Sequence, residues 1–118
     1  MPTNPIPLNK FRLIAKTLDS GSNLIYRENL EVASILLSAQ ITNTTSSIMS
    51  TDVKILKSGS LSDSDAIALL KDAKIPPGDS LNPISGKIVL EKYDAFIITS
   101  TESGSLQVIL SILENAIN

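Results

Sequence analysis

The side chains of this sequence that could do chemistry are mainly carboxylates, because histidine and cysteine are both absent. Asp63-Ser64-Asp65 and Asp19-Ser20-Gly21-Ser22-Asn23 each gather side-chain oxygens on a short loop. A calcium loop needs further ligands at fixed offsets and a bidentate glutamate, and neither stretch supplies them. The first reads as a solvated loop and the second as a turn. Glu91, Asp94, Glu102 and Glu114 could in principle divide into an acid and a base. Their spacing brings no two of them together, so each reads as a turn or strand-end residue. A serine nucleophile would need a lysine base here, and no Ser-x-x-Lys stands in an active-site context. Gly78, Gly86 and Gly104 are single turn glycines and make no phosphate loop. The expectation is a protein without catalytic residues, metal or cofactor.

The missing residue types exclude further classes. Without histidine the chain lacks the commonest general base near neutral pH and the commonest imidazole ligand. Net charge is −2, and the cations are scattered singly, so no basic stripe exists to meet phosphates. Aromatics make up only 3% of the chain, too few to build a stacking platform for bases or sugars. No nucleic-acid partner is expected. No apolar run approaches the ~18 residues a membrane helix needs. Met1-Pro-Thr-Asn-Pro-Ile-Pro7 has no basic start and no long apolar stretch, so it does not read as a signal peptide. The expectation is a soluble chain, intracellular when made. At 118 residues it is one domain by size, with a core built from Leu, Ile, Val and Ala.

The elements follow from alternation and punctuation. Pro2, Pro5 and Pro7 favour an extended arm over residues 1–9, with residues 10–118 forming the domain. Phe11 to Leu18 alternates, with Phe11, Leu13 and Ala15 on one face and Arg12, Ile14 and Lys16 on the other. A brief strand is expected at Leu24–Tyr26. Over residues 32–42 a helix would set Leu30, Ala33, Leu37 and Ile41 in a stripe. A strand would set Ala33, Ile35, Leu37, Ala39 and Ile41 on one face, and the nearly complete period of two favours it. Ile48–Leu56 reads as a strand. Residues 67–74 are rich in helix formers, but a lone helix would interrupt an all-β series, so a strand is expected. Ile75-Pro-Pro-Gly-Asp79 is a tight turn, and residues 80–84 form a short edge piece. Three strands joined by turns at Lys92-Tyr-Asp94 and Glu102-Ser-Gly104 then close the chain and are expected to form the sheet nucleus. About eight short antiparallel strands separated by regular turns indicate an all-β domain, a single β-sandwich of jelly-roll type.

Three stretches carry a resemblance: Ile75-Pro-Pro-Gly-Asp-Ser-Leu81, Lys87-Ile-Val-Leu-Glu-Lys-Tyr-Asp94 and Leu106-Gln-Val-Ile-Leu-Ser-Ile-Leu-Glu114. The chain resembles small β-sandwich virion structural proteins of tailed bacteriophages, including phages of marine bacteria and cyanobacteria. Their pattern is an Ile-Pro-x-Gly-x-Ser/Thr-Leu turn, a Leu-Glu-x-Gly-Asp hairpin and a closing Val-x-x-Ser-x-Leu-Glu strand. The resemblance extends over residues 23–114 and includes an asparagine like Asn43. Where the family has its hairpin glycine, this chain has Tyr93. The resemblance implies a non-enzymatic virion component present in many copies: a capsid decoration protein, or else a neck, tail or baseplate component. Its partners would be copies of itself and other virion proteins, in a homo-oligomer. A carbohydrate- or peptide-binding sandwich is the other reading, and the scarcity of aromatics counts against it.

The second faces of the strands suggest where such contacts would lie. In the last strand Leu106, Val108, Leu110 and Ile112 share one face, while Ile109 and Leu113 stand on the other. With one wet face, Ile14, Leu36, Ile109 and Leu113 would be left exposed, unless a two-layer core with covering loops takes them in; otherwise they are buried against copies of the chain or a scaffold. The candidate interface residues are Pro5, Ile6, Pro7, Leu36, Tyr93, Ile109 and Leu113.

Overall fold

The computed structural model describes residues 9–28, 33–57 and 66–115. All described regular structure is β: β1 (Asn9–Thr17), β2 (Gly21–Arg27), β3 (Ser34–Asn43), β4 (Met49–Leu56), β5 (Ile67–Ile75), β6 (Ser80–Leu81), β7 (Ile88–Leu90), β8 (Ala95–Ser100) and β9 (Leu106–Asn115). Two antiparallel sheets pack face to face. The first runs β1-β9-β3-β6, with β7 also on β3, and the second runs β2-β8-β4-β5. Apart from the β4–β5 pair and the step from β6 to β7, each connection crosses from one sheet to the other. That is the connectivity of a jelly roll, the architecture expected from the turn spacing. The sheets share one core, including Leu18, Ile25, Leu36, Ile41, Val53, Phe96, Ile98, Leu106, Leu110 and Ile112.

Residues 87–115 form strands as expected, but not a meander. β7 and β9 belong to the first sheet and β8 to the second, so the Lys92–Asp94 turn is a corner between layers and not a hairpin. The segment still organises the fold, because β9 lies between β1 and β3 and β8 lies between β2 and β4. Central strands are covered on both edges, which is why β8 is buried at nearly every position.

The helix-forming stretch is β5, as the all-β reading required. Pairing with β4 overrides its local propensity, at the expense of register shifts between Thr51 and Val53 and between Val53 and Lys54. Asp72 absorbs the irregularity with φ +52, its N–H donating to Asp52 Oδ1 at 2.6 Å. The Pro76–Asp79 turn forms as the sequence indicates. Asp79 N–H donates to Pro76 C=O at 3.1 Å, and Gly78 supplies φ +72 at the third position.

Two facing assignments are corrected. In β3 a bulge falls between Leu36 and Ser38. Before it Ser34 and Leu36 point inward, and after it Ala39, Ile41 and Asn43 do. One extra residue reverses the alternation, so Leu36 is in the core and not on an outer face. In β1 the phase is opposite to that expected: Ile14 packs against the core, while Phe11, Leu13 and Ala15 are exposed. The expected Pro-rich arm, with Pro5, Ile6 and Pro7, lies outside the described residues but for Asn9, which already belongs to β1.

Candidate functional site

β9 sets the geometry of the outer face of the first sheet, because it pairs with β1 on one side and β3 on the other. Its inner row, Leu106, Val108, Leu110 and Ile112, is wholly buried, so period two sends Gln107, Ile109, Ser111 and Leu113 outward. The register makes rows across the sheet. Phe11 stands opposite Leu113, Leu113 opposite Ile35, and Ile35 opposite Val89. The row nearest the other end, Thr17–Gln107–Thr42, is polar. Between them lie Leu13–Ser111–Ser38 and Ala15–Ile109–Gln40. The apolar character is therefore graded along the strands and strongest at the Phe11 end.

This face is open. Phe11 is 73% exposed, Leu13 66%, Val89 56% and Ile109 47%. Ser111, small and in the middle of the sheet, lies in a shallow depression lined by Phe11, Leu13 and Leu37. A partner side chain entering there would meet apolar walls, the arrangement in which interface anchors gain most. The second sheet differs on its outer side. There Ser22, Thr99 and Asp52 form one polar cross-strand row, the next row is Leu24–Ile97–Lys54, and Ile97 packs with Leu56 and Ala95 in a small apolar cluster. Leu24 is 48% exposed there, so both outer sides carry exposed apolar residues, and the first sheet gathers more of them in Phe11, Leu13, Val89 and Ile109.

Beneath the Phe11 row, the inner side of the same strands holds a polar network. Tyr26 O–H donates to Glu114 Oε2 at 2.6 Å, and Arg12 Nη1 donates to the same oxygen at 2.9 Å. Glu28 accepts from Ser34 Oγ and lies 3.2 Å from the Tyr26 hydroxyl. Burial pushes the Tyr26 phenol well above the ordinary tyrosine range, and the bond to Glu114 adds to the shift. Burial alone would raise Glu114, but the hydrogen bonds from Tyr26 and Arg12 outweigh it and hold the carboxyl below its ordinary range. The network joins β1, β2, β3 and β9, so it fastens the edge strand β1 and ties the two sheets together at this end.

Of the candidate interface residues, Ile109 and Leu113 lie on the apolar face. Leu36 is in the core, and Pro5, Ile6 and Pro7 fall outside the described residues. Tyr93 is half exposed on the corner between the sheets, with Lys92 Nζ 5.1 Å from its ring centre. Its φ is +70 at the third position of the turn closed by Asp94 N–H on Glu91 C=O, so tyrosine holds a conformation that favours glycine. The turn thus holds a side chain where the resembling family has glycine, and the ring stands half exposed. Sequence reasoning missed Phe11, Leu13, Leu37 and Val89. The available signal was Leu18: it shares parity with Ile14, and a buried Leu18 fixes the inward phase of β1.

The carboxylates considered for chemistry are placed otherwise. Lys57 Nζ gathers Glu91 and Asp94 at 3.3 and 2.8 Å, bringing together two groups whose spacing had suggested no contact. Asp94 Oδ2 also accepts from Glu91 N–H at 2.9 Å, so this carboxylate braces the corner turn. Glu102 C=O accepts from the hydroxyls of Ser100 and Ser105. Asp63 and Asp65 lie outside the described residues. Among the described residues no group of three or more acidic side chains is placed to hold a metal ion. Compared with protein-family models, curated proteins and solved structures, the chain matches none.

Proposed function

We propose that this protein is a non-enzymatic structural subunit of a bacteriophage virion, a multi-copy capsid decoration protein that binds through the outer face of its first sheet. The observation that carries the reading is the apolar patch on the outer side of the first sheet. It presents Phe11, Leu13, Val89 and Ile109 to solvent together, on strands that the register sets side by side. A covered sheet face needs a partner surface that is always at hand, and a repeated particle lattice supplies one. The jelly roll is used by capsid proteins, lectins and cupins alike, so the architecture supports this reading only by analogy. The specific support is the likeness of the Ile75–Leu81, Lys87–Asp94 and Leu106–Glu114 stretches to small phage virion proteins. A place in the neck, tail or baseplate would use the same face.

Light scattering of the purified chain, alone and with capsids or tails, tests the reading. The expected result is self-association or particle binding that Leu13→Asp abolishes. A lasting monomer that binds neither overturns it. Mass spectrometry of separated heads and tails then distinguishes decoration from a tail role: the expected location is the head, and recovery only with tails places the subunit there.

A further inference from the structure

The edges of the two sheets are not alike. β6 and β7 span two and three residues, too short to template a long pairing. β5 is broken by register shifts and by Asp72 at φ +52, and β2 has a shift between Leu24 and Tyr26. These are ordinary ways of blunting an edge. β1 has none of them. Its register against β9 is continuous from Asn9 to Thr17, it contains no proline, and among the described residues nothing pairs with its other side.

Its charges decide what can pair there. β1 carries Lys10, Arg12 and Lys16 and no acidic residue, although the whole chain has net charge −2. An antiparallel copy centred on Leu13 would set Lys10 opposite Lys16. Centring on Arg12 sets arginine against arginine, and centring on Ile14 sets Arg12 against Lys16. Registers displaced by one residue mix the charged row with the apolar one. Like charges directly opposite are destabilising, so the edge is built against its own copy.

We propose that the free edge of β1 receives an extended segment of a different polypeptide, in which apolar residues alternate with aspartate or glutamate. The apolar side chains of the added strand extend the Phe11 and Leu13 rows. These are the two most exposed large hydrophobic residues described, and both stand on the edge strand, where an added strand would cover their open flank. The acidic side chains meet Lys10 and Lys16 on the opposite face, while Arg12 stays with Glu114. Backbone hydrogen bonds supply affinity, and the two side-chain rows supply selection. The inference rests on the edge alone and stands whether or not the assembly is a virion.

The test uses the full chain and synthetic peptides of about eight residues, close to the length of β1. One peptide alternates valine with glutamate and a second alternates valine with lysine. Two further copies of the acidic peptide are N-methylated, one at every valine and the other at every glutamate. The acidic peptide should bind at least about tenfold more tightly than the basic one, and added salt should narrow the difference. Hydrogen exchange should slow at alternate amides of β1, and one N-methylated copy should fail to bind. The double variant K10E/K16E, altered at exposed positions, should reverse the charge preference. Equal binding of the two charges, protection on β2 or β5 in place of β1, or no binding by the acidic peptide each overturns the proposal.

Discussion

Arg12 and Glu114 meet at 2.9 Å on the inner side of the two strands whose outer side sets Phe11 against Leu113. The open apolar row and the buried polar network are therefore consecutive rows of one β1–β9 ladder. Edge strands fray when little holds them, and apolar residues on a frayed edge make a poor docking surface. The contact with Glu114, itself tied to Tyr26 of the other sheet, keeps Phe11 and Leu13 in register.

The ionised state of Glu114 makes that brace sensitive to acid. Its folded pKa lies below its unfolded value, so its contribution to stability is present above the unfolded pKa and is lost as pH falls through the folded one. The window begins near the ordinary value of 4.5 and extends below it. Urea unfolding should show the native chain losing stability across that window. Glu114→Gln should be less stable by about 1–3 kcal/mol at neutral pH, because Arg12 and Tyr26 lose a charged acceptor. Its profile should also be flatter in acid. A variant that keeps the native acid slope would show that other carboxylates set it.

Asn43 is a second fastening. Its amide donates to Ser47 C=O at 2.6 Å and Ile75 C=O at 2.8 Å, and its Oδ1 accepts from Thr45 N–H at 2.9 Å. It is fully buried at the end of β3. Asn43→Ala strands two carbonyls and an amide, and should destabilise by about 2–4 kcal/mol. Asn43→Asp should be at least as damaging at neutral pH, since a carboxylate would face two carbonyl oxygens. Thermal unfolding of the two variants checks both statements.

How much of this was legible in the sequence varies with the physics of each element. Strand identity was readable wherever alternation met turn chemistry, as in β4, β9 and the Pro76–Asp79 turn, because both signals are local. The all-β consistency of the chain even carried β5 against its helix propensity. Facing was harder. A single bulged residue in β3 reversed the alternation and took Leu36 inward, and no residue type marks that position. In β1 the cations suggested a wet face, but Arg12 is drawn inward by Glu114, more than a hundred positions away in sequence. Layer membership of β7, β8 and β9 was equally hidden, since a short polar turn serves a hairpin and a corner alike. The site was therefore half legible: Ile109 and Leu113 were found from β9 alone, while Phe11 and Val89 needed the pairing.

Tyr93 offers a test of whether stability has been traded for contact. A non-glycine residue at φ +70 carries strain of about 1 kcal/mol or more. Tyr93→Gly relieves it but gives the unfolded chain more freedom and removes the ring beside Lys92. The net expectation is a gain of about 0.5–1 kcal/mol, raising the melting temperature by roughly 2–5 °C. If the exposed ring is a contact residue, the same variant should bind the proposed partner less well. Higher stability with unchanged binding would leave the tyrosine without an interface role.

The apolar face and the core make opposite predictions for substitutions of similar size. Ile109 stands on the outer face opposite Ala15 and Gln40, 47% exposed. Ile109→Asp removes little buried area and should cost no more than about 1 kcal/mol of stability. It places a charge on the proposed docking face, where desolvating it without a partner is costly, so assembly should weaken by a factor of about ten or more. Leu36 is fully buried, and Leu36→Ala should cost about 2–5 kcal/mol through the cavity left between the sheets. Below the melting temperature of Leu36→Ala, the molecules that stay folded should assemble normally, because the outer face is unchanged. Sedimentation and urea unfolding of the two variants side by side read both quantities. If Ile109→Asp unfolds as readily as Leu36→Ala, the outer face is supporting the fold and not a partner.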